Sequence, residues 1–214
     1  MKWRGPALML VTEPSHRLEE IVDAAVSGGV NIVQLRDKSA APGDLSNMAK
    51  RLAQITKGRA LLVVNGDAQI APDIGFNGVH LPEQGRPVTL AREMLGKGAL
   101  IGRSVHSIEA ARSAEQDGVD YVVAGTIFVS KSHPTEPPAG LGFLRAVCSA
   151  VTIPVIAIGG VTPENAGDCI RAGAAGIAVL SPIMQASDPY AVAVDYRRAL
   201  DRPEHERRTM RPAL

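Results

Sequence analysis

IPVIAIGGVTPENAGDCIRAGAAGIAVLSPIM, residues 153–184, is the stretch whose reading decides the fold. Val155-Ile156-Ala157-Ile158 is a short apolar run after a proline, the pattern of a strand buried on both faces in a parallel sheet. Gly159-Gly160 lets the chain turn sharply and bring its backbone close to a ligand. Thr162 is placed to cap the helix that follows, with Pro163 at its first position. Gly176-Ile177-Ala178-Val179-Leu180 reads as the next buried strand, and Ser181-Pro182 opens a further turn. Paired in this way, the loops at Gly159-Gly160 and Leu180-Ser181 match the phosphate cup built by the last two strand-helix units of a (β/α)8 barrel. Free backbone N–H groups and the positive end of a short helix favour a doubly charged anion there. A plain tight turn is the other reading of Gly159-Gly160.

Working outward, the same unit recurs. Ala7 to Thr12 is an apolar strand, and Leu18, Ile21, Val22, Ala25 and Val26 then repeat at helical spacing up to Gly28-Gly29. Asn31 to Leu35 is a strand, followed by Arg36-Asp37-Lys38 and a helix over about Pro42 to Thr56. Leu61 to Val64, Gly78 to Leu81, Leu100 to Gly102 and Asp120 to Ala124 are the next four strands. Helices fall near Val88 to Leu95, after Ser107 as its cap, after the polar loop Ser130 to Gly140, and from about Pro189 to Leu200. A short helix is also expected before Gly78. Strands alternating with helices mean a parallel sheet, and eight such units closing on themselves give the (β/α)8 TIM barrel as fold class. An open doubly wound sheet is the alternative, but no GxGxxG opens the chain. Residues 1–200 make one barrel domain, and 201–214, charged and containing Pro203 and Pro212, an exposed tail.

Composition limits the function. The net charge of +1 over 214 residues gives no footprint for nucleic acid or a membrane surface. Cys148 and Cys169 lack metal spacing and read as buried thiols of a reducing compartment. The N-terminal apolar run is too short for a membrane span or a signal core, so a cytoplasmic location is expected.

In a barrel the chemistry sits at the C-terminal ends of the strands. Those ends offer Gln34, Arg36 and Lys38, set on one side by period two, then Asn65, His80, Ser104 and Thr126. The loop after Thr126 adds Lys131 and His133. Polar and cationic groups aimed at one mouth suit an anion. A solvated loop is the other reading of Arg36 and Lys38. With three Phe, three Tyr and one Trp there is little to stack a large flat cofactor, and no residue cluster has the spacing of a tight metal site.

Gln34-Leu35-Arg36-Asp37-Lys38, Gly78-Val79-His80-Leu81, Gly102-Arg103-Ser104-Val105-His106-Ser107, Asp120-Tyr121-Val122 and Ile156-Ala157-Ile158-Gly159-Gly160-Val161 resemble the thiamine phosphate synthase superfamily. The resemblance runs from about Ala7 to Leu200. It implies the same barrel, a phosphorylated thiazole as ligand, and a homodimer. One branch of the family, the synthase, joins a pyrimidine methyl pyrophosphate to thiazole phosphate, releasing pyrophosphate with Mg²⁺. The other, a thiazole tautomerase, isomerises a thiazole carboxylate phosphate to its aromatic tautomer without a metal. The synthase pattern has carboxylates where this chain has Gly66 and Gly85; Asp67 and Glu83 lie nearby. On that comparison the expected function is the tautomerase, with no cofactor. The synthase is the alternative, with Mg²⁺ on Asp67 and Glu83, and a non-catalytic phospho-ligand regulator is a further one. The tautomerase pattern has a His after the sixth strand's Gly where this chain has Thr126, so proton transfer is assigned among His133, His80, Thr126 and Lys38. Substrate contacts are assigned to Gln34, Arg36, Lys38, Asn65, Ser104 and Lys131, and phosphate contacts to Gly159, Gly160, Leu180 and Ser181.

Overall fold

A computed structural model describes residues 3–66, 75–130 and 137–202. Eight parallel strands close into a barrel in chain order, β1 (Ala7–Val11), β2 (Ile32–Leu35), β3 (Leu61–Asn65), β4 (Gly78–Leu81), β5 (Leu100–Val105), β6 (Tyr121–Ala124), β7 (Val155–Ile158) and β8 (Gly176–Val179). The helices are α1 (Leu18–Ser27), α2 (Pro42–Thr56), α3 (Val88–Leu95), α4 (Ile108–Gln116), α5 (Gly140–Ala150), α6 (Ala166–Arg171), α7 (Ser181–Met184) and α8 (Pro189–Asp201). The barrel expected from the alternating pattern is therefore present. The short helix expected before Gly78 and the tail from Pro203 onward lie outside the described residues.

Alternation along each strand builds two cores. Outward residues such as Leu8, Leu10, Val33, Leu35, Leu62 and Ile177 pack under the helices. Inward residues fill the barrel: Met9, Val11, Ile32, Val63, Leu100, Tyr121, Val123, Ile156 and Ala178, with Trp3 at the N-terminal end. Tyr121 fits because the facing position is Gly102, where a Cβ would lie 2.1 Å from the tyrosine Cζ. Trp3 meets Tyr121 edge to face at 6.0 Å between ring centroids. The interior is thus solid in its lower layers, and polar inward residues appear only toward the strand C-terminal ends.

Local differences from expectation have local causes. The helix predicted to start at Pro163, with Thr162 as its cap, begins instead at Ala166. Asn165 accepts the Thr162 N–H at 2.8 Å and donates to the Gly160 carbonyl at 3.0 Å, so it organises the turn and Thr162 does not cap the helix. Strand β6 starts one residue late, at Tyr121, and the Asp120 carboxylate before it accepts from the Ile101 N–H and Arg92. Strand β5 runs on through Ser104 to Val105. Ser107 caps α4 as expected, accepting the Ala110 N–H at 3.0 Å.

Candidate active site

The C-terminal strand ends open into a cleft of about 1020 Å³. Gln34, Arg36, Lys38, Asn65, His80, Glu83, Ser104, Thr126, Gly159, Gly160, Leu180 and Ser181 all line it. The residues assigned from sequence thus converge on one space. Asp67, Lys131 and His133 lie outside the described residues.

One side of the cleft is cationic. The Asp37 carboxylate accepts from the Ser39 hydroxyl and from the N–H groups of Ser39 and Ala40. These bonds, the hydroxyl first, hold its pKa below the usual carboxylate range. Asp37 is therefore satisfied by its own loop, and the side chains of Arg36 and Lys38 have no ion-pair partner among the described residues. Thr12 fixes the loop by accepting the Arg36 N–H at 2.9 Å.

The opposite side is backbone. Gly159 and Gly160 have φ of +96° and +62°, a conformation that favours glycine. The carbonyls of Ile158 and Gly159 accept from Ile127 and Phe128, which clamps the turn onto the β6 loop. The N–H groups of Gly160, Val161, Leu180 and Ser181 donate to no other group among the described residues. They lie where the sequence led us to expect a cup, and such N–H groups are able to meet an anion.

Between these sides lies a floor of amides, imidazole and hydroxyl. Buried Gln34 donates to Asn65 Oδ1 at 2.8 Å, which leaves the Asn65 amide N–H₂ toward the cleft. His80 is buried, and desolvation lowers its pKa to about 3, so it is neutral at physiological pH. Its ring nitrogens meet Tyr121 Oη at 3.2 Å and Ser104 Oγ at 2.9 Å. Val123, Ile158 and Ala178 add apolar surface for a ring.

Reasoning from sequence missed Asn165, Tyr121 and the Gln185–Glu13 hydrogen bond at the rim. Asn165 stands three residues after Thr162 in a turn, a spacing that signals a side chain bonded back to the backbone.

Among the described residues no three His, Cys, Asp or Glu gather into a metal site. Glu13 and Glu83 are the acidic residues lining the cleft there. Glu83 Oε2 accepts the His106 N–H and Nδ1 at 2.7 Å each, leaving its second oxygen for another ligand. A magnesium ion takes one or two protein carboxylates and fills its shell with phosphate oxygens and water, so this donor set fits one.

The fold and cleft define a class, the (β/α)8 barrels with a polar cleft at the strand C-terminal ends. The chain matches the family model described as thiamine monophosphate synthase over residues 8–183, and it belongs to that family. It is 45% identical over 174 residues to the thiamine-phosphate synthase of Natronomonas pharaonis, covering 79% of this chain and 81% of that protein. It is 39% identical to the enzyme of that name from Chloroflexus aurantiacus, covering 86% and 84%. The solved thiamine phosphate pyrophosphorylase of Pyrococcus furiosus superposes with a TM-score of 0.81 at 33% identity, covering 91% of this chain and 95% of that one.

These relatives overturn the expected function. The two sequence relatives are named as synthases and the solved one as a pyrophosphorylase, so the assignment to the tautomerase branch, and with it an isomerase activity, is corrected. That assignment gave decisive weight to Gly66 and Gly85. A magnesium ion held largely by substrate phosphates makes little demand on any one protein carboxylate.

Proposed function

We propose that this chain is a thiamine-phosphate synthase, a transferase that joins a pyrimidine methyl pyrophosphate to a thiazole phosphate and releases pyrophosphate. The observation that carries this reading is the cleft with two separated anion-binding sides, one cationic and one of backbone N–H groups. Two phosphorylated reactants call for two such sides. The cup at Gly160, Val161 and Ser181 receives the thiazole phosphate. Arg36 and Lys38 take the pyrophosphate, and their charge offsets the negative charge that grows on the leaving group as its bond to carbon breaks. Asn65 and Ser104 orient the reactants over the apolar Val123 and Ile158. Glu83 would hold Mg²⁺, which when bound supplies further neutralisation of the pyrophosphate. The proton-transfer roles expected of His133, His80, Thr126 and Lys38 belong to tautomerisation and fall with it.

The test is pyrophosphate release by the purified protein with both substrates and Mg²⁺. Release that depends on all three supports the reading. No release from protein that binds thiazole phosphate overturns it. Arg36→Ala is expected to weaken inorganic pyrophosphate binding at least about tenfold, or ~1.4 kcal/mol, by calorimetry. Unchanged affinity would return Arg36 to a solvated loop.

A further inference from the structure

Tyr121, His80 and Ser104 form one hydrogen-bonded line from the barrel interior to the cleft. Tyr121 Oη stands 3.2 Å from His80 Nδ1, and His80 Nε2 stands 2.9 Å from Ser104 Oγ. Tyr121 is 0% and His80 2% exposed, so neither can turn to water. The rings lie 5.7 Å apart at 33° on neighbouring inward positions of the barrel.

The direction of each bond follows from a count of protons. Burial raises the phenol pKa, so Tyr121 keeps its proton. Among the described residues, Nδ1 of His80 is the polar atom placed to accept it. A proton on Nδ1 would be donated to Tyr121 Oη, and the phenol's own hydrogen would then have no acceptor inside an apolar core. A buried donor left unmet costs about 1–3 kcal/mol. Tyr121 therefore donates to Nδ1. The neutral imidazole has a single ring proton, which must then sit on Nε2 and point at Ser104. Ser104 Oγ accepts it, and the hydroxyl's own proton is free to face the cleft that Ser104 lines.

We propose that His80 is a positioning residue, locked by Tyr121 as its Nε2–H tautomer, which makes Ser104 a hydrogen-bond donor and so selects a substrate acceptor atom at that point. The acceptor is a ring nitrogen or a phosphate oxygen. The tautomer stands on the structure alone; only the substrate's identity rests on the synthase reading.

The first experiment is nitrogen-15 NMR of the full chain labelled at histidine, with His80→Gln to assign the signals. A His80 Nδ1 without hydrogen and an Nε2 with one are expected. A proton on Nδ1, or an average of the two tautomers, overturns the proposal. This readout needs no turnover, so a failed synthase assay leaves it standing.

The second experiment compares substitutions by ligand binding. Ser104→Ala is expected to lower affinity about tenfold for one of two probes, inorganic pyrophosphate or the unphosphorylated pyrimidine alcohol, and the affected probe identifies the acceptor. His80→Leu, which orients nothing, should match that loss on the same probe. His80→Gln, which keeps an N–H near the Nε2 position, should recover most of it. Equal losses for His80→Leu and His80→Gln would reduce His80 to packing and overturn the positioning role.

Discussion

Gly160→Ala is expected to weaken thiazole phosphate binding by at least about a hundredfold, while the dephosphorylated thiazole alcohol changes by less than about threefold. An added Cβ would lie 2.3 Å from the Val129 carbonyl oxygen and 2.8 Å from Phe128 Cβ. Residue 160 also has φ of +62°, so alanine there is strained even with space made for it. Neither neighbour is the loose end of a flexible chain, because Phe128 N–H is bonded to the Gly159 carbonyl. The turn must therefore move, and the N–H groups of Gly160 and Val161 move with it. The alcohol has no phosphate to lose. Titration calorimetry with both ligands reads the difference, and an equal loss for both would remove phosphate from the cup.

The second large effect is acid destabilisation through His80. Its pKa falls from an ordinary 6.5 to about 3 in the folded chain, because burial opposes the charged imidazolium. Between those values the unfolded chain binds a proton that the native chain does not, so stability rises with pH. This contribution is fully present above pH 6.5 and is lost as pH falls toward 3. It amounts to about 5 kcal/mol over the whole window, of which about 3 kcal/mol falls between pH 7 and 4.5. Asp37, whose pKa is lowered by the Ser39 hydroxyl and the loop N–H groups, acts in the same direction at lower pH. Urea unfolding at pH 7 and 4.5 should show the loss in the parent chain and a much smaller one in His80→Gln. If both lose the same amount, the imidazole is not its source.

Much of this molecule was legible in the sequence because helical and strand periods are local. Pro42 to Thr56 and Val88 to Leu95 were bounded correctly from sequence, and period two set Gln34, Arg36 and Lys38 on one side, where all three line the cleft. The Gly159-Gly160 turn was legible because few conformations other than a close backbone approach need paired glycines. What failed depended on neighbours far along the chain. Tyr121 could be seen only as a strand residue, since its partner His80 is 41 positions away and the barrel register brings them together. Thr162 and Asn165 both carry capping chemistry, and the hydrogen bond to Gly160 decided between them. The branch reading failed for a related reason. Gly66 and Gly85 were weighed as single loop positions, although a metal shared with substrate phosphates can be held from Glu83, whose side chain the fold brings into the same cleft.

The filled lower barrel has a kinetic consequence. Trp3, Tyr121 and Met9 stop the passage beneath the cleft, so among the described residues its doorway is at the strand C-terminal ends. A ligand that enters by that doorway must also leave by it. That one-ended access is set by a glycine at position 102 that makes room for a tyrosine at 121.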